Sequence, residues 1–207
     1  MGCAGLRRTT AAALLLAAGM VVAACSSESG ELSSLDDVAA SGSRPDGQDC
    51  DGRDMVIDRD GEAVVLEGEC AVVLVRANGV TIDVESAASV VAEGQGIVVT
   101  VKNAQSVVLS GRSGRSTIET VGALTVEGNG ITADIGSAAS IDLSGSGNML
   151  SFDSVPTITV GGNDNSLHTG GADNVRVTGS QNTVVWTDGA VSELSDTGEQ
   201  NTLTGAR

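Results

Sequence analysis

The sequence predicts an all-β fold, a parallel β-solenoid of about eight to nine coils, with the right-handed β-helix favoured. Three observations predict it. Gly94, Gly111, Gly128, Gly145, Gly162 and Gly179 stand 17 residues apart. Apolar residues alternate with others on both sides of each glycine, which is the period-two signature of strands. Each position also keeps one character from repeat to repeat, as coils stacked at about 4.8 Å require. Seventeen residues hold two short strands and their corners, but not a strand–helix–strand unit. Parallel crossovers strongly prefer one hand, and 17 does not divide into the hexapeptide units of left-handed β-helices. An antiparallel sandwich of equal hairpins is the alternative. It explains regular turns but not fixed columns of residue types.

With the repeated glycine as position zero, Ala77 continues the series backwards and Asp60 is expected to begin it. Four residues before zero runs a column from Val73 and Val90 to Ile158 and Val175. Two before it stand Val75, Leu109, Val126 and Leu143, and five after it Ile82, Val99, Leu150 and Leu167. These columns are the expected core. Phe152 and Trp186 share the seventh position after zero and read as core filling, with Trp186 also expected to cover the open last coil. The zero glycine should turn a corner, either by a positive φ or because no Cβ fits there. At position three, early coils carry Val80, Ile97, Gly114 and Ile131. Later coils carry Asn148, Asn165 and Asn182, and Asn201 extends the column after a two-residue insertion. Stacked Asn side chains can hydrogen-bond one coil to the next, so these residues are expected to form a structural ladder rather than a ligand site.

Ahead of the repeats lie two other segments. Arg7 and Arg8 precede an apolar run, Ala11–Ala24, of 14 residues. That is short of the roughly 20 residues a membrane-spanning helix needs and suits a signal-peptide core. The run ends in Val22-Ala23-Ala24-Cys25, which resembles the bacterial lipobox and implies lipid attachment at Cys25. Arg7-Arg8 also raises twin-arginine export, but its flanking residues match that signal poorly. Residues 1–24 are thus read as a lipoprotein signal peptide and 25–49 as a flexible acidic tether, rich in Ser, Gly, Asp and Glu. Residues 50–207 are read as the solenoid. Cys3 leaves with the leader and Cys25 takes lipid. Cys50 and Cys70 then remain as an even pair in an exported chain, which reads as a disulfide.

Composition narrows function. The chain has 27 acidic and 11 basic residues. Losing the two leader arginines leaves nine basic against 27 acidic, a balance of −18. Such acidity argues against nucleic acid and against electrostatic docking on anionic lipid. One His, one Trp, one Phe and no Tyr leave no stacking platform and no multi-His centre. Asp83 and Asp134 share position six but lie three coils apart, and no column concentrates the carboxylates that a β-helical lyase or glycosidase needs. His168 sits on an outward column. The mixed position-six column does not form an ice-matching Thr array. Gly161-Gly162-Asn163-Asp164-Asn165 partly matches the calcium-binding nonapeptide, but its Asp falls two positions early. No catalytic residues, metal site or cofactor are therefore assigned. A carbohydrate-active β-helix enzyme and a calcium-binding solenoid remain the alternatives to a non-catalytic binding or structural module.

The lipobox, the acidic tether and the turns Val160-Gly161-Gly162-Asn163-Asp164-Asn165 and Val177-Thr178-Gly179-Ser180-Gln181-Asn182 resemble a family of actinobacterial lipoproteins that carry a domain of unknown function. The resemblance covers about residues 50–204. It implies a lipid-anchored protein at the extracytoplasmic face of the cell membrane. A membrane contact through Cys25 and a protein or glycan partner in the envelope are the expected interactions.

Overall fold

The structure is a computed structural model that describes residues 47–206. Residues 1–24, read from the sequence as a signal peptide, and Cys25 lie outside the described residues. The strands are β1 (Gln48–Asp49), β2 (Met55–Ile57), β3 (Ala63–Val75), β4 (Thr81–Ala92), β5 (Val98–Leu109), β6 (Arg115–Val126) and β7 (Thr132–Leu143). They continue as β8 (Met149–Ser154), β9 (Thr157–Val160), β10 (Ser166–Gly171), β11 (Asn174–Val177), β12 (Thr183–Trp186), β13 (Glu193–Asp196) and β14 (Thr202–Gly205). All fourteen belong to one sheet. Every pairing is parallel, in the early coils and in the late ones. The chain is thus a β-solenoid of about nine coils. The antiparallel sandwich is excluded.

The period observed in the sequence is the register of the ladder. Val99 pairs with Ser116, Ser116 with Ala133, and Leu167 with Val184. β4 to β7 run 12 residues each, because the ladder continues around a corner through pairs such as Ala87–Ala104. After β3 the strands first divide where Pro156 parts β8 from β9. Its ring nitrogen has no proton to give the ladder, although its carbonyl still accepts the N–H of Asn174 at 2.8 Å.

The core is the stack of inward columns. Val73, Val90, Val107, Leu124, Ile141, Ile158 and Val175 are all buried. Burying each such side chain contributes about 1.5–3 kcal/mol relative to exposure. Phe152 and Trp186 are buried in their shared column, as expected. Thr169 lies between them, fully buried, and its hydroxyl donates to the Gly171 carbonyl at 2.9 Å. Trp186 does not cover the last coil, however. β14 follows it, with Gly205 in register over the indole. No other residue fits there, because a Cβ at 205 would collide with that ring.

Two steps break the 17-residue spacing. Between β3 and β4 the register runs Leu66–Val84 and then Glu69–Ser86, so one extra residue bulges out. Gly68 supplies it, with φ +73°, a left-handed conformation that costs glycine little. Its N–H donates to Glu85 Oε2 at 3.0 Å, and Lys102 Nζ lies 3.6 Å from Oε1. The Gly68 N–H, followed by the Lys102 charge, holds the Glu85 carboxyl below its ordinary pKa. The bulge also corrects the start of the glycine column. Asp60 does not occupy position zero. It stands one step later, where its Oδ1 accepts the Asn78 N–H at 2.7 Å. Near the other end, the expected two-residue insertion falls between β12 and β13, so Val175 pairs with Leu194 and Val184 with Leu203.

Candidate functional site

The densest polar organisation in the domain is the turn between coils, and it is built from the glycine and asparagine columns together. Asn148, Asn165 and Asn182 are buried, at 2%, 2% and 0% exposure. Each Oδ1 accepts the backbone N–H of position three one coil earlier. Asn148 takes that of Ile131 at 2.8 Å, Asn165 that of Asn148 at 2.9 Å, and Asn182 that of Asn165 at 3.0 Å. Each Nδ2 donates to the carbonyl of the preceding zero glycine, at 2.9, 2.9 and 2.8 Å to Gly128, Gly145 and Gly162. Asn201 repeats both bonds, to the Asn182 N–H and the Gly179 carbonyl. Side chains also link directly, Asn165 Nδ2 to Asn182 Oδ1 at 3.1 Å and Asn182 Nδ2 to Asn201 Oδ1 at 3.2 Å. Both polar atoms of each buried amide are engaged with a neighbouring coil.

The same geometry explains the glycines. Of the two expected reasons, positive φ and lack of room, only the second applies. None of Gly94, Gly111, Gly128, Gly145, Gly162 and Gly179 has a positive φ. A Cβ on any of the last five would run into the carbonyl oxygen of the zero glycine one coil earlier, and on Gly94 into that of Ala77. In the late coils this is the carbonyl that the Asn amide holds. The G-x-x-N spacing is therefore one device. The glycine lets two turns approach, and the Asn three residues on bonds the carbonyl exposed by that approach. In early coils without the Asn, a backbone group does this work: Arg112 N–H donates to the Gly94 carbonyl at 3.2 Å and Asn129 N–H to the Gly111 carbonyl at 3.3 Å.

Positive φ occurs two residues after zero instead, at Gly79, Gly96, Gly130 and Gly147, and also at Ser113, Asp164, Gln181 and Gln200. All of these except Gln200 donate their N–H to the carbonyl of position one in the next coil, for example Gly147 to Asn163 and Gln181 to Glu199. A non-glycine residue in this conformation costs about 1–2 kcal/mol, against roughly 0.5–1 kcal/mol of extra backbone entropy lost on folding by glycine. Gln181→Gly should therefore raise stability by about 0.5–1 kcal/mol. A higher denaturation midpoint in urea would show it, and a lower one would contradict the left-handed turn.

A second ladder at position one was not evident from the spacing. Asn78 Oδ1 accepts the Gln95 N–H at 2.9 Å, Asn129 Oδ1 that of Ser146 at 2.9 Å, and Asn163 Oδ1 that of Ser180 at 2.8 Å. These side chains are exposed and reach forward one coil, whereas the buried Asn column reaches back. A polar residue that recurs only in some coils gives a weak periodic signal.

The other candidate chemistry is dispersed. Asp83 and Asp134 share an outward column with Thr100 and Thr117 between them, about 14 Å apart at the coil spacing. Asp142 is on the other face of the coil, between Thr125 and Thr159. His168 is exposed between Ser151 and Val185. The stretch with partial likeness to a calcium repeat is occupied by coil-to-coil bonds. Asn163 and Asn165 serve the two ladders, and Asp164 is the left-handed residue whose N–H reaches the Ser180 carbonyl. Among the described residues, no three His, Cys, Asp or Glu side chains converge as metal ligands.

Cys50 and Cys70 are joined as a disulfide with Cα atoms 4.9 Å apart. Both are buried, and β1 pairs beside them with Leu66 and Glu67. Arg53 ties the same segment down, its Nε donating to the Cys50 carbonyl at 3.2 Å. The bond thus staples the first partial coil onto the solenoid at its N-terminal end.

No curated protein and no solved structure matches the chain. In its G-x-x-N half, over residues 126–171 and 154–200, the chain is similar to a family described as a protein of unknown function (DUF3060).

Proposed function

We propose that the protein is a lipid-anchored module of the cell envelope, held through Cys25 at the extracytoplasmic face of the membrane, where the rod binds or spaces another envelope component without catalysing a reaction. This reading places it with the actinobacterial lipoproteins that its leader, tether and turns resemble. The observation that carries it is the continuity of the coil ladder. Among the described residues its 17-residue register shifts at a one-residue bulge at Gly68 and at the two-residue insertion between β12 and β13, and Pro156 parts one pair of strands without shifting it. A polysaccharide-cleaving solenoid needs walls around two carboxylates some 5–10 Å apart, and such short interruptions build no walls. A rigid ladder with polar outer columns suits presentation of surface.

Cys25→Ala tests the anchor. The substituted protein should appear in the soluble fraction of cells, whereas the wild type stays with the membrane and leaves only with detergent. Membrane retention of the variant would refute Cys25 as the sole anchor. Cross-linking of the tagged wild type in whole cells tests the module. A discrete cross-linked species is expected, and turnover of an envelope polysaccharide by the purified protein would replace the reading with the enzymatic one.

A further inference from the structure

One coil in mid-rod has no side chain at position three. Val80, Ile97 and Ile131 fill that column with branched side chains, and Asn148, Asn165 and Asn182 fill it with amides; all six are buried. Gly114 stands between Ile97 and Ile131 and has nothing to place there. A void of about 10 Å³ results, bordered by Gly94, Ile97, Gly111, Gly114, Ser116 and Ile131. That is room for about one water molecule. Two polar groups at this place follow from the turn geometry. An Asn at position three meets the N–H of position three and the carbonyl of zero one coil earlier, as Asn148 meets Ile131 and Gly128. For position 114 the same two groups are the Ile97 N–H and the Gly94 carbonyl. That carbonyl accepts the Arg112 N–H at 3.2 Å, and a carbonyl oxygen has a second lone pair for another donor. A third group comes from the coil itself. Ser116 is the only polar residue from Ile82 to Val184 in its inward column. It is 3% exposed and borders the void, and its neighbours in the column, Val99 and Ala133, offer its hydroxyl only apolar side chains.

We infer that this void is a binding site for one buried water molecule, which takes the place of the amide that later coils carry. The water accepts the Ile97 N–H, donates to the Gly94 carbonyl and bonds the Ser116 hydroxyl. Three partners are the usual complement of a buried water. The pairing of Gly114 with Ser116 decides against a dry void. A glycine alone would leave a hole with apolar walls, and such holes stay empty. A hydroxyl two residues on, in a column that is otherwise apolar, is costly to bury unless a polar group reaches it. The water thus serves in this coil the two backbone groups that Asn148 serves two coils later. The inference concerns the inside of the rod and is independent of the anchor and of the binding role proposed above.

Two substitutions in the full chain test it by thermal melting. Gly114→Ala puts a Cβ into the void, expels the water and supplies no hydrogen bond. Its melting temperature should fall by about 2–6 °C. Gly114→Asn also expels the water, but returns an acceptor to the Ile97 N–H and a donor to the Gly94 carbonyl. It should melt no lower than the wild type and at least about 3 °C above Gly114→Ala. Gly114 has no positive φ, and the nearest atom to an added Cβ is the Ile97 carbonyl oxygen at 3.0 Å. Both variants carry that Cβ, so any crowding there cancels between them. The water itself is read by NMR on the protein labelled with nitrogen-15. A cross-relaxation peak between the Ile97 amide proton and water, with the sign of a long-lived contact, is expected in the wild type. It should persist in Ser116→Ala, where the water keeps its two backbone partners, and vanish in Gly114→Asn. No peak in the wild type, or an alanine variant that melts as high as the asparagine one, would show a dry void and overturn the site. Loss of the peak in Ser116→Ala would assign it to exchange through the hydroxyl proton and overturn the site equally.

Discussion

Asn165→Leu should lower the melting temperature by roughly 6–12 °C and open the C-terminal coils first. The substitution removes an acceptor from the Asn148 N–H and a donor from the Gly145 carbonyl. Both lie in a turn where Asn165 itself is 2% exposed, so water does not replace the lost partners. An orphaned buried group costs about 1–3 kcal/mol. Two such groups, partly offset by burying the Leu side chain, give about 3 kcal/mol. For a chain of this size each kcal/mol shifts the midpoint by about 2–4 °C. Coils interact chiefly with their neighbours, so the loss should be local. Hydrogen exchange should speed up in β10 and β12 while β5 and β6 keep their protection. Ile131→Leu is the control, because it occupies the same column and should cost under about 1.5 kcal/mol. If the two variants melt alike, the Asn column contributes nothing beyond filling space.

The architecture was legible because its period lies in side chains that must be apolar. Val90, Val107, Leu124 and Ile141 stack in register, and a sequence alternating around them has few other ways to bury one face. The Asn column was equally visible, because a buried polar residue repeated at one position needs a partner and the neighbouring coil is the only constant one. The disulfide was legible because reading Cys3 and Cys25 as leader and lipid positions leaves Cys50 and Cys70 as an even pair.

What escaped the sequence is set by backbone rather than by side-chain character. The crowded glycine and the left-handed residue stand two positions apart, and only coordinates show which is which. Gln181 and Asp164 occupy the left-handed slot without being glycine, which hides that column. The bulge at Gly68 shifts the first coil by one residue, so the apparent zero position, Asp60, falls out of step. The exposed Asn ladder alternates with Ser, Gln and Arg, whose N–H groups serve as well as any other residue's. The 49% exposure of Leu194 is a matter of what lies above it, and the residue's own type says nothing about that.

Cys70→Ser should loosen the N-terminal end about a hundredfold while leaving the rest of the rod intact. Few bonds besides the disulfide hold that end. β1 contributes two residues and β2 three, joined by contacts such as Gly52 N–H to the Glu69 carbonyl and Ala71 N–H to the Arg53 carbonyl. Closing a loop of 20 residues constrains the unfolded segment by about 3 kcal/mol, and each 1.4 kcal/mol is a factor of ten in the opening equilibrium. Trypsin reads this directly, because Arg53 and Arg59 lie in the stapled segment and Arg112 lies in mid-rod as an internal reference. Where opening is fast relative to cleavage, cutting tracks the open population. Cleavage at Arg53 and Arg59 should therefore accelerate by up to two orders of magnitude, with Arg112 unchanged, and a reducing agent should do the same to the wild type. Equal rates at all three sites would mean that the ladder alone holds the first coil, and the buried cysteines would then be core filling. A parallel rod must protect two exposed ends. Here the N-terminal end is held by a covalent bond between Cys50 and Cys70.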